Sequence, residues 1–136
     1  MQLTTTRSKQ LKTKPDPQKL GFGTLFTDHM FNMDYHPDKG WHNPRIEPYT
    51  PFTMDPSTMV LHYGQGVFEG LKAYRTGDGH IQLFRPQANF KRMNYSCRKL
   101  CIPAFDEALA LDALKQLVHL EKEWVPNAPG TSLYIR

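Results

Sequence analysis

Read as a pattern of apolar and polar positions, the chain changes texture at Gly21. Residues 1–19, MQLTTTRSKQLKTKPDPQK, hold scattered apolar residues without a period, and Pro15 and Pro17 oppose helix continuation. A partly disordered, extended arm is expected there. From Gly21 onward, the aromatic-rich runs FGTLFTDHMFNMDY and WHNPRIEPYTPFTM flank His36-Pro37-Asp38-Lys39-Gly40, which reads as strand, turn, strand. A further sheet region is expected from Met59 through Tyr74. Thr76-Gly77-Asp78-Gly79 then turns the chain into His80 to Phe84, because Asp-Gly between two β-prone runs is a strong hairpin signal. The alternation directs Leu71, Ala73 and one face of Ile81 to Phe84 inward.

The period then lengthens. Pro86 suits the first turn of a helix, and Phe90, Met93, Cys97 and Leu100 or Cys101 recur at steps of three and four, so a helix is expected through Cys101. Lys91, Arg92, Arg98 and Lys99 fall off that stripe. After Ile102-Pro103, Asp106 is placed to cap a second amphipathic helix, whose apolar face is Leu111, Leu114, Leu117 or Val118 and Leu120, with Pro126 ending it. Asn127 to Gly130 read as a loop and Thr131 to Arg136 as a strand that stops without a cap or polar tail, as though cut before its partner elements. The fold class expected is α/β (α+β): a small domain over residues 20–136, with a mainly antiparallel sheet and two amphipathic helices, preceded by a flexible basic arm over residues 1–19.

With 136 residues, one core is the natural expectation. No window approaches the roughly 20 apolar residues of a membrane span, and the N-terminus lacks the apolar centre of a signal peptide, so a soluble, cytoplasmic protein without a membrane partner is expected. The formal charge of +4 changes this picture little. Arg7, Lys9, Lys12, Lys14 and Lys19 against Asp16 account for all of it, and the rest of the chain is balanced. That excess lies on a polar tail without aromatic residues, not on a basic face, and does not point to nucleic acid.

Candidate chemistry is sparse when read from spacing. His29, His36, His42, His62, His80 and His119 show no ligand pairing on a common element, so no metal site is expected. Gly21-Phe22-Gly23 and Gly64-Gln65-Gly66 are too short for nucleotide loops. Cys97 and Cys101, four apart on the expected helix, share a face and read as two half-buried thiols. Arg85 and Arg92 have the chemistry to grip phosphate, through a permanent charge and paired donors, but spacing alone reads them as solvated surface arginines. Tyr134 and Arg136 project to one side of the last strand. They form a polar handle beside apolar neighbours, which a rim salt bridge would explain equally well.

The strings Gly21-Phe22-Gly23, Phe26-Thr27-Asp28-His29-Met30, Gly40-Trp41, Pro44-Arg45-Ile46, Leu61-His62-Tyr63-Gly64 and Val67-Phe68-Glu69-Gly70-Leu71-Lys72-Ala73-Tyr74 go further. With Leu83-Phe84-Arg85-Pro86, Trp124-Val125-Pro126 and Gly130-Thr131-Ser132-Leu133-Tyr134-Ile135-Arg136, they occur in family order over everything from Leu20 onward, and the chain resembles the N-terminal domain of the branched-chain amino-acid aminotransferases. FEG and LFRP are shared by the wider fold-type IV pyridoxal-phosphate enzymes; FTDHM, the GW and PRI pieces and GTSLYIR point to the branched-chain members.

The resemblance implies an enzyme that uses pyridoxal 5'-phosphate to move the amino group of leucine, isoleucine or valine to 2-oxoglutarate, giving glutamate and branched 2-oxo acids in amino-acid biosynthesis. Arg92 matches the arginine that binds the cofactor phosphate. Phe22, Phe68 and Tyr134 match side chains lining the substrate pocket, and Arg136 matches the arginine that accommodates the glutamate side chain. Tyr63 matches one reaching into the neighbouring site of a homodimer. The Schiff-base lysine is expected in a second domain that pairs with this one, leaving this chain with no catalytic residue and inactive alone; Lys72 has no such role in the family. Rival readings are a D-amino-acid aminotransferase or aminodeoxychorismate lyase relative, and a non-catalytic dimerisation or binding module.

Overall fold

A computed structural model describes residues 1–136. The chain forms two small three-stranded sheets and three helices, a mixed α/β architecture as the periodicities imply. The first sheet is built on the hairpin β2 (His29–His36) and β3 (Gly40–Pro48), joined by the turn at Pro37 to Lys39, where Gly40 takes a φ of 65°. Tyr35 faces Trp41 across the ladder, with ring centres 5.3 Å apart and an edge-to-face tilt. The register shifts between Asn32 and Asp34, opposite Asn43 and Pro44. A proline cannot donate to the ladder and Asn43 takes a φ of 53°, so this dipeptide makes the bulge. Asp34 holds it, accepting from Asn43 and Arg45 at 2.9 Å each.

The N-terminal residues lie against this sheet. β1 (Thr4–Thr5) pairs parallel with Arg45 and Ile46 of β3, and Thr6 N–H continues the ladder to the Ile46 carbonyl at 2.9 Å. Farther on, Ser8 N–H donates to His29 Nε2 at 2.7 Å and Lys12 N–H to Asp28 Oδ1 at 2.7 Å. The polar lead-in therefore finds backbone partners that its composition does not disclose.

The second sheet has the order β5-β4-β6, all antiparallel. The expected hairpin is present: β4 (Leu71–Arg75) and β5 (Ile81–Leu83) are joined through Asp78-Gly79, with Gly79 at a φ of 86°. β6 (Leu133–Ile135) pairs on the other side of β4 and sets Tyr134 opposite Lys72. Alternation sends Ala73, Leu71, Ile81, Leu83, Leu133 and Ile135 to one face, where they meet Leu114, Val118 and Val125. Burying each large aliphatic side chain there contributes roughly 1.5 to 3 kcal/mol. The opposite face carries Lys72, Tyr74 and Tyr134, all exposed.

The helix α2 (Pro86–Lys99) starts on Pro86 after Arg85, which takes a φ of 48°. The helix α3 (Glu107–Leu120) is capped by Asp106, whose carboxylate accepts from the Ala108 and Leu109 amides, worth about 1 kcal/mol. Its buried stripe centres on Ala110, Ala113, Leu114 and Val118. Buried Asn94 locks α2 to the following loop, donating to the Phe105 carbonyl and accepting from the Phe105 amide at 2.9 and 3.0 Å.

Three expectations are corrected. The start of the segment Met59 to Tyr74 is not strand: Met59–Tyr63 forms the short helix α1, because Asp55, Ser57 and Thr58 build a turn that starts it and Gly64, at a φ of 60°, ends it. α2 ends at Lys99 with Leu100 as its cap, and Cys101 turns away at a φ of 55°. Cys97 is consequently buried and Cys101 exposed, so the two thiols share no face. α3 ends at Leu120, well before Pro126, and a 3-10 turn over Lys122–Trp124 follows. Buried Glu121 and Trp124 are drawn toward Asp28 and His29 instead of extending the helix.

Candidate functional site

The aromatic face of the second sheet is shaped by Tyr134. Its neighbours Leu133 and Ile135 are in the core, so its ring lies on the side away from the helices. There it meets Phe22 with ring centres 5.4 Å apart. Gly70 completes the seat: a Cβ on this residue would stand 2.6 Å from the Tyr134 hydroxyl, closer than side chains tolerate. FEG thus needs its glycine for close approach, not for a special φ.

Gly70 also links Tyr134 to Arg92. Its amide donates to Glu69 Oε2 at 3.2 Å, and Glu69 accepts a forked pair from Arg92, Nε to Oε1 at 2.5 Å and Nη2 to Oε2 at 2.7 Å. Asn89, one turn before Arg92 on α2, adds a bond to Oε2 at 2.7 Å and one to the Gly70 carbonyl at 3.0 Å. The Arg92 hydrogen bonds, opposed by partial burial and reinforced by Asn89, hold the Glu69 carboxyl below its ordinary range and raise the Arg92 guanidinium above its own. The carboxylate is mostly buried, at 13% exposure, while the Arg92 side chain is 63% exposed. The fork engages the Nε and Nη2 edge of the guanidinium and leaves Nη1, on this mostly exposed side chain, without a hydrogen bond in the chain. Nη1 can donate to a phosphate, so the residues present fit that group.

Arg136 sits over the ring of Phe26, 5.2 Å from its centre. Phe26 stacks flat on Tyr49 at 5.1 Å, and Lys12 Nζ lies 4.7 Å over the Tyr49 ring. Two cations and two rings therefore form one cluster built from the lead-in, the residues before β2 and the residues just after β3 and β6. Lys12 and Tyr49 escaped the sequence reading, since nothing in spacing relates residues so far apart.

The remaining sequence candidates are not gathered here. Phe68, next to Glu69, is 89% exposed, and Tyr63, at the end of α1, is 78% exposed with the His62 ring 6.3 Å from its own. The structure thus brings Phe22 to Tyr134 and couples Tyr134 through Gly70 and Glu69 to Arg92, whereas Phe68 and Tyr63 project outward. Lys72 lies exposed opposite Tyr134.

A second polar cluster was also missed. Asp28 accepts from Lys12 N–H, Lys14 Nζ and Trp124 Nε1 at 2.7, 2.5 and 2.8 Å. Burial opposes its ionisation, but these bonds and the Lys14 charge outweigh it and carry its pKa down to about 2. His29 Nδ1 meets Glu121 beside it, and both side chains are buried.

The α/β segment thus sets an aromatic pair beside an exposed, carboxylate-held arginine, a group whose chemistry suits pairing with an anion. No family model matches the chain. Among curated proteins it is 64% identical over 125 residues to branched-chain-amino-acid transaminase 1 of Bacillus subtilis (strain 168), covering 92% of this chain and 35% of that protein. It is 60% identical over 136 residues to branched-chain-amino-acid aminotransferase 2 of the same organism, covering 100% and 36%. With the branched-chain-amino-acid aminotransferase of Mycolicibacterium smegmatis it shares 52% over 117 residues, covering 85% and 32%. Along nearly its whole length the chain is similar to branched-chain-amino-acid aminotransferases, and it spans about a third of the length of the curated relatives it matches.

Proposed function

We propose that the protein carrying this chain transfers the amino group of leucine, isoleucine or valine to 2-oxoglutarate with the help of pyridoxal 5'-phosphate, and that residues 1–136 furnish one wall of its site. The carrying observation is the identity of 60% with an aminotransferase across all 136 residues, and the geometry is in keeping with it. When bound, pyridoxal phosphate supplies an electron sink for charge developed at the substrate α-carbon.

The roles of this chain's residues follow from what each can do. Arg92 offers the free Nη1 of its guanidinium to the phosphate. Phe22 and Tyr134, with Phe68, supply apolar wall, and each methylene of a branched side chain buried there gains roughly 0.8 kcal/mol. Glutamate needs a cation for its second carboxylate, because a buried unpaired charge is costly. Arg136 suits that role, since it rests on Phe26 instead of being neutralised by a carboxylate of the chain. Tyr63, exposed in one copy, suits a place in the neighbouring site of a homodimer. The lysine that holds the cofactor lies outside residues 1–136 in this reading, the isolated segment is inactive, and the compartment is the cytoplasm. No helix is long and apolar enough to cross a membrane.

The full-length protein, supplied with pyridoxal phosphate, is expected to convert leucine and 2-oxoglutarate to glutamate and a branched oxo acid. Preference for D-alanine would overturn the substrate assignment. Borohydride reduction followed by mass mapping should label a lysine outside residues 1–136, and specific labelling of Lys72 would refute the division of roles. Arg92→Ala should weaken cofactor retention on dialysis by roughly 2 to 4 kcal/mol, the scale of a lost charge-assisted contact.

A further inference from the structure

Glu69 is a carboxylate beside an arginine that is proposed to bind an anion, and its placement needs a physical reason. An acid there lowers the local positive potential, which by itself works against phosphate binding. Yet Glu69 is the most firmly held group of the cluster. Its oxygens accept from Arg92 Nε and Nη2, from Asn89 Nδ2 and from its neighbour's amide on Gly70. It is mostly buried where Arg92 is mostly exposed. A long side chain on an exposed helical face has many rotamers, and fixing one costs conformational entropy. The Glu69 fork fixes it before any ligand arrives, and it does so through the Nε and Nη2 edge of the guanidinium, leaving Nη1 free to donate.

We propose that Glu69 is a positioning residue that presents Nη1 of Arg92 to the cofactor phosphate, with Asn89 holding Glu69 in turn. The inference rests on the reading of Arg92 as the phosphate ligand. Glu69 touches no part of the cofactor in this arrangement and acts only through Arg92. The same carboxylate, through the adjoining Gly70, ties the orientation of Arg92 to the seat of Tyr134. The phosphate anchor and the aromatic wall therefore share one support.

The test compares pyridoxal phosphate with pyridoxal, which lacks the phosphate, for binding to the full-length protein and its Glu69→Gln, Glu69→Asp and Arg92→Ala variants. Glu69→Gln should lower affinity for pyridoxal phosphate about tenfold and leave pyridoxal affinity unchanged. Glu69→Asp, which keeps the charge but withdraws the carboxylate, should reduce the same preference and serves if the Gln variant does not fold. Combining Glu69→Gln with Arg92→Ala should be no worse than Arg92→Ala alone. A purely structural Glu69 would weaken both ligands alike and add to Arg92→Ala; that outcome, or tighter binding of pyridoxal phosphate by Glu69→Gln, overturns the proposal. If Arg92→Ala itself leaves the preference for the phosphorylated ligand intact, the reading of Arg92 fails first and takes the role of Glu69 with it.

Discussion

The backbone N–H of Ser8 donates to Nε2 of His29 at 2.7 Å, which joins the N-terminal segment to the first residue of β2. Because Nε2 accepts, the ring proton belongs on Nδ1, facing the Glu121 carboxylate. A neutral imidazole thus bridges an amide from the lead-in and an acid from the end of α3, with Asp28 and, through it, Lys14 alongside.

Replacing that bridge should loosen one end of the fold selectively. His29→Ala leaves the Ser8 amide without its acceptor and the buried Glu121 carboxylate with only the Asp28 amide, which costs about 2 to 4 kcal/mol. In the full-length protein, amide exchange at Ser8 and Lys12 should accelerate strongly while Ala73 and Val118 remain protected. Unchanged exchange at Ser8 would show that the bridge does not hold the segment.

The Asp28 carboxyl gives the same region an acid dependence. Its folded pKa of about 2 lies below the ordinary value of 3.8, so its stabilising contribution is fully present above about pH 4 and is lost as pH falls through 2. A difference of nearly two units corresponds to roughly 2 kcal/mol. Urea midpoints of the parent and Asp28→Asn should therefore differ at pH 7 and converge between pH 4 and 2. A gap independent of pH would contradict this account.

Close approach at Gly70 makes a steric prediction. Gly70→Ala should destabilise by about 1 to 3 kcal/mol, because the new methyl overlaps the Tyr134 hydroxyl and ring. Tyr134→Phe removes the nearest atom, so the double variant should be less destabilised than the two single changes added together. Simple additivity in thermal denaturation would mean that the ring moves aside freely.

The two thiols should react unequally. Burial pushes the Cys97 thiol up, away from the reactive thiolate, whereas Cys101 is exposed. Under native conditions an alkylating reagent should modify Cys101 and spare Cys97, read by mass mapping. Equal modification would place Cys97 nearer the surface than its packing allows.

Elements whose cause is local are legible in the order of residues. Asp78-Gly79 makes its hairpin, Pro86 and Asp106 start their helices, and Ala73 faces the core because alternation leaves it no other side. Resemblance in short motifs singled out Arg92, Phe22, Tyr134 and Arg136. Periodicity misled where capping and turn geometry overrode it. The apolar run at Met59 reads as strand, yet a turn at Asp55 and a left-handed Gly64 bend it into helix, and Cys101 leaves the stripe because α2 ends two residues earlier. Three relationships emerge only from the folded chain: Glu69 holds Arg92, Lys12 and Arg136 lie over the stacked pair of Tyr49 and Phe26, and Asp28 and His29 gather the lead-in to the end of α3. Periodicity records which face of an element is apolar, while side-chain pairing between residues far apart in the chain depends on how that chain closes in space.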